Sequence, residues 1–167
     1  MSWSDDSDMP PTPTPVRIHA IPADRLQAVR DSGRDVSGTP VARLVTSGGE
    51  LLRCCLRDAR TGEDCLLFGY EPSIPGGPTP YREIGAVYTH AHPCGGPNDD
   101  GYPTDWRTRP QVLRAYDDRG WIHPATTTHD GSAPAGALRA ALTTPGVVAV
   151  HSRNIAHGCF TFAATLA

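Results

Sequence analysis

The chain has 167 residues, 38% hydrophobic and 7% aromatic, with a formal net charge of −3. That length suits one domain with a real core, while 17 glycines and 17 prolines make it rich in loops. The acidic balance excludes a general nucleic-acid binder, which needs a basic excess to displace counterions from phosphates. Every basic residue is an arginine, so Schiff-base chemistry on lysine and a Walker A phosphate loop are excluded as well.

The first stretch, residues 1–15, carries Asp5, Asp6 and Asp8 and ends in PPTPTP, which reads as a disordered acidic, proline-rich tail. Its start, MSWSDDSDMP, is too polar for a secretory leader, and no later stretch approaches the ~20 apolar residues of a membrane span. With an odd number of cysteines (Cys54, Cys55, Cys65, Cys94, Cys159), reduced thiols in a cytoplasmic protein are expected.

Residues 16–167 read as a single α+β domain. Val16 to Ile21 suits a strand, and Pro22 followed by ADRLQAVRD and Gly33 spells a short helix with its stop signal. Val41 to Thr46 suits another short strand. Glu50 to Arg57 alternates as a strand, with Leu52, Cys54 and Leu56 on one face and Leu51, Arg53 and Cys55 on the other. On that reading the adjacent Cys54 and Cys55 point apart. DARTGE then turns the chain, and Asp64 to Tyr70 returns as the hairpin partner.

Gly85 to Ala91 is β-branched and aromatic, a strand with Tyr88, His90 and His92 on one face and Cys94 beyond. His90 and His92 would lie about 6.6 Å apart along it, and Pro93 would end it. The long Gly/Pro-rich segment from Gly95 to Pro110 is expected to be functional, with Tyr102 and Trp106 making it a flap over a cavity. Gln111 to Asp117 and Trp121 to Thr128 suit a further hairpin. Ala133 to Leu142 suits a helix, and Val147 to Arg153 with Gly158 to Leu166 a closing hairpin. The sum is an α+β fold, a largely antiparallel sheet of about seven to eight strands built from hairpins, with two helices.

Several of these pieces together resemble a bacterial family, the domain of unknown function numbered 1203. They are RCCLRDARTGE at Arg53 to Glu63, PYREIGAVYTHAHPC at Pro80 to Cys94, RAYDDRG at Arg114 to Gly120, and HSRN with GCFTF from His151 to Phe162. The resemblance spans roughly residues 16–165 and implies that these segments share one fold. It brings no reaction, so it assigns no catalytic residue.

The residues themselves suggest three chemistries. Arg53, Arg82 and Arg153, with Asn154, can orient an acidic ligand, because guanidinium forks match carboxylates and phosphates. His90 and His151, with Tyr81 and the thiols of Cys54, Cys94 and Cys159, can move protons or act covalently around one enclosed hollow. His90, His92 and Cys94, joined by His151 or Cys159, offer a ligand mix that zinc accepts, although H-x-H-x-C alone is a weak signal.

The leading expectation is a small enzyme with no cofactor. It would act on a polar or acidic small molecule by proton transfer, as an isomerase, cyclase or lyase, in a specialised biosynthetic pathway. A non-catalytic binding or interaction module and a metal-dependent enzyme are the alternatives. A small-molecule substrate is the expected partner, with neither nucleic acid nor membrane involved and homodimerisation left open.

Overall fold

The computed structural model describes residues 10–167. Most of the expected tail, residues 1–9, lies outside the described residues. From Pro10 to Pro15 the chain forms no regular element, and the Thr14 carbonyl accepts a 2.9 Å hydrogen bond from Arg139.

Ten strands and two α-helices follow among the described residues, in two five-stranded sheets rather than one. The first sheet contains β1 (Val16–His19), β7 (Gln111–Tyr116), β8 (Thr127–His129), β9 (Ala149–Asn154) and β10 (Phe160–Leu166). Its order is β1-β10-β9-β7-β8, and every pairing is antiparallel. The second contains β2 (Ala42–Val45), β3 (Leu51–Leu52), β4 (Arg57–Asp58), β5 (Asp64–Tyr70) and β6 (Gly85–His90). Its order is β2-β5-β6-β3-β4, and it is mixed, because β3 runs parallel to β6. The α+β class therefore holds, while the strand count and the single sheet do not.

Each sheet buries one core. Helix α2 (Pro134–Leu142) sets Leu138, Ala141 and Leu142 among Leu113, Val150, Phe162 and Trp106 of the first core. Helix α1 (Ala23–Ser32) adds Leu26 to a second core with Leu52, Cys65, Phe68, Val87 and Phe160. As the punctuation requires, α1 begins after Pro22 and stops at Gly33, whose left-handed φ of 64° closes a hydrogen bond to the Val29 carbonyl. No helix among the described residues is long and apolar enough to cross a membrane.

Two expectations are corrected. Glu50 to Arg57 is not one strand hairpinned to Asp64–Tyr70. β3 breaks after Leu52 into a turn over Arg53–Leu56, closed by the Leu56 N–H donating to the Leu52 carbonyl at 2.8 Å, and β4 resumes at Arg57. β5 pairs instead with β2 and β6. The turn places Leu56 at φ 58°, a left-handed conformation that a branched side chain takes at a cost of roughly 1–2 kcal/mol. Burial of the Leu56 side chain in the first core offsets it.

Trp106 is not part of a flap. It is fully buried, stacks on Phe162 with ring centroids 6.4 Å apart, and donates its indole N–H to Asp58 at 3.0 Å. The 3-10 turn Thr104–Trp106 thus pins the long segment to the protein, and the residues before it become a fixed wall.

Candidate metal centre

The turn that breaks β3 from β4 creates the site. In a strand Cys54 and Cys55 would face opposite sides, but in the turn both sulfurs aim at the end of β6. Cys54 Sγ lies 3.4 Å and Cys55 Sγ 3.8 Å from His90 Nδ1, and the two sulfurs are 3.9 Å apart. After Pro93 the chain folds back and brings Cys94 to the same point. The ligand atoms of Cys54, Cys55, His90 and Cys94 all lie within 4.8 Å of one another.

The three separations among Cys54, Cys55 and His90 fit a metal. A tetrahedral zinc with sulfur at about 2.3 Å and nitrogen at about 2.0 Å spaces its ligands by roughly 3.5–3.8 Å. The three edges fall on or near those values. The surroundings also suit bound thiolates. The His90 backbone N–H donates to Cys54 Sγ at 3.2 Å, and the Gly96 backbone N–H to Cys94.

His90 presents Nδ1 to the sulfurs and Nε2 to the Glu63 carboxylate, 3.1 Å away. The donor-only Arg57 Nη2 stands 3.2 Å from the same Nε2. Ligation through Nδ1 requires the proton on Nε2, and the Glu63 carboxylate is placed to accept it there. Arg57 grips Glu63 with both terminal nitrogens, at 3.1 and 2.5 Å, and holds its carboxyl well below the usual carboxylate range. Arg30 on α1 donates to the carbonyls of His90 and His92, fixing the end of β6.

Within the cluster, Cys54 donates to Cys55. That hydrogen bond, with burial, pushes the Cys54 thiol up; the same bond draws Cys55 below the ordinary thiol value, helped by Arg57. A cavity of about 390 Å³ opens beside the cluster. Cys55, Arg57, His90 and Cys94 form its floor, and the segment from Gly96 to Asp105 its wall.

The sequence-predicted residues divide sharply. His90, Cys54 and Cys94 meet, and Cys55, Glu63 and Arg57 join them unforeseen. His92 does not; it is exposed and sits 3.1 Å from Arg43 and 3.6 Å from Asp64. His151 lies on the other sheet and lines no part of this cavity, so the expected meeting of His90 and His151 around one hollow is overturned. Its ring packs against Tyr116 and Phe160, with Nε2 donating to the Ser73 carbonyl at 3.1 Å.

Arg53 is buried and structural, donating to the carbonyls of Phe160 and Leu51, and burial lowers its pKa to about 10. Arg82 pairs with Glu71 at 2.8 Å, and Tyr81 meets Trp121 edge to face. Asn154 closes the β9–β10 turn through its backbone. Cys159 and Arg153 border a different cavity. No C-x-x-C spacing announced the pair at Cys54–Cys55; the nearest sequence signal was Arg57 and Glu63 placed across a tight turn.

His151 makes a measurable prediction. Burial and the Arg153 guanidinium lower its pKa to about 4, with Arg114 adding to this and Glu83 opposing it. Below an unfolded value near 6.5 the unfolded chain takes up a proton that the folded chain refuses, so stability is full above pH 6.5 and falls towards pH 4. Urea unfolding should show a loss of about 3 kcal/mol across that window, and His151→Phe should remove it. An identical pH slope in the variant would refute the assignment.

A family model described as "Protein of unknown function (DUF1203)" matches residues 49–165, which takes in every ligand of the cluster. No curated protein and no solved structure matches the chain.

Proposed function

The chain belongs to the DUF1203 family, and we propose that it is a metalloprotein of the zinc class, with Cys54, Cys55, His90 and Cys94 as the ligands. The observation that carries this is the set of edges of 3.4, 3.8 and 3.9 Å among three of the ligand atoms, which matches a tetrahedral ion. Four protein ligands saturate such an ion, so the centre builds rather than reacts. It ties the turn after β3 to the end of β6 and to the segment that walls the cavity. The cavity then receives a small polar molecule beside a rigid centre.

The test is metal analysis of the purified protein. One zinc-class ion per chain is expected, and cobalt substitution should give the intense thiolate-to-metal absorption of a three-sulfur, one-nitrogen site. Cys54→Ser and His90→Ala should each lower the metal content, whereas Cys159→Ser should not. Purified protein that neither carries nor takes up a stoichiometric ion would end this reading.

A second reading has one observation in its favour: Cys55 lines the cavity with its sulfur 3.8 Å from His90. Such a pair can act as nucleophile and base in isomerase, cyclase or lyase chemistry on a polar or acidic small molecule. The two separate on the metal-free protein. Turnover that persists without metal and is abolished by iodoacetamide favours the thiol enzyme, and full alkylation without loss dismisses it.

A further inference from the structure

A second polar interior lies away from the metal cluster, on the face of the first sheet turned towards the segment Glu71 to Glu83. Arg114 on β7 stands opposite His151 on β9, and Val112 opposite Arg153, so Arg114, Tyr116, His151 and Arg153 share that face. Glu83 answers both arginines, pairing with Arg114 and, at 3.2 Å, with Arg153 Nη1. His151 is neutral at pH 7, which leaves two guanidiniums against one carboxylate. Of the three, Arg153 is the most withdrawn from water, its side chain only 9% exposed against 23% for Arg114 and 46% for Glu83.

Arg153 also spends its hydrogen bonds unevenly. Both go through Nη1, to Glu83 and to the Gly158 carbonyl at 3.1 Å. Its Nε is buried and has no partner among the described residues. The Nε/Nη2 edge, the side of the fork that matches two carboxylate oxygens, is therefore unspent. Arg153 borders a cavity of about 280 Å³ whose other walls include Tyr70, Phe160, Ala86 and Glu83, the last with its charge answered by Arg114 and Arg153. The Tyr70 and Phe160 rings, 5.7 Å apart and tilted, give it an apolar side. None of its lining residues belongs to the cavity beside the metal cluster.

We propose that this cavity is a binding site for a small carboxylate with a flat apolar body. The carboxylate docks on the free edge of Arg153, and the body lies against Tyr70 and Phe160. Arg153 thereby acquires a partner on its unspent edge, and the second guanidinium a counter-charge.

Benzoate is the probe, titrated calorimetrically into the full chain as purified with its metal. Saturable 1:1 binding is expected. Arg153→Lys keeps the charge and loses the fork, and should weaken it at least tenfold. Ala86→Phe fills the cavity from an exposed strand position without touching Arg153, and should weaken it similarly at unchanged melting temperature. Ala86→Phe alone decides the matter should Arg153→Lys fail to fold. Inorganic phosphate should bind far more weakly than benzoate. Absence of saturable benzoate binding, equal affinity in Ala86→Phe, or phosphate binding as tight as benzoate would each overturn the proposal. None of these outcomes bears on the metal centre, which is read from metal content.

Discussion

Stripping the metal with a chelator should lower the unfolding free energy by about 4 kcal/mol or more, the stabilisation given by an ion held a thousandfold above its dissociation constant. For a chain of this size that corresponds to a fall of roughly 8–16 °C in melting temperature. The reason is topological. Cys54 and Cys55 sit in a turn between strands of two residues each, and Cys94 follows the end of β6, so the ion would cross-link segments that strand pairing joins only at Leu52 and Tyr88. Restoring zinc should restore the transition, while Cys159→Ser should melt with the native chain. Glu63→Gln is the finer test. It removes the negative charge that faces His90 Nε2 and should weaken zinc about 10–100-fold without changing the ligands. A metal-free chain that melts with the loaded one would remove the centre's structural role.

Trp106→Ala should destabilise the chain by about 3–5 kcal/mol, the range for emptying a buried aromatic site. Three losses combine: the stack on Phe162, the fill of the first core, and the indole hydrogen bond to Asp58. Asp58 retains Arg109 as a bidentate partner, so its carboxylate is not left unpaired. Trp106→Phe keeps most of the fill and should cost clearly less. Urea unfolding of both variants measures this, and a loss under 1 kcal/mol for Trp106→Ala would return the residue to a surface flap. Because the cavity wall from Gly96 to Asp105 is anchored by this side chain, the variant should also loosen the metal through Cys94.

Much of the secondary structure was written in short-range terms. Pro22 and Gly33 bracket α1, the alanine-rich run gives α2, and the runs Val147 to Arg153 and Gly158 to Leu166 give the closing hairpin, paired as β9 and β10. The chemistry was legible where it was crowded: His90 and Cys94 belong to one dense stretch, and both reach the site. His92 misled because the strand ends at His90, so alternation no longer governs where its ring points.

Sequence by itself determined the residue types available, which are cysteines, histidines and arginines without a single lysine, and the strands and helices that local periodicity imposes. Tertiary structure alone decided which of them meet. The run Glu50 to Arg57 alternates as a strand should, and only the parallel pairing of Leu52 with Tyr88 on β6, together with burial of Leu56, bends it into the turn that aims both Cys54 and Cys55 at His90. A pattern of period two cannot report a break whose cause is a partner more than thirty residues away. The same holds for His151 and His90, which the folding of the chain into two sheets sends to separate interiors.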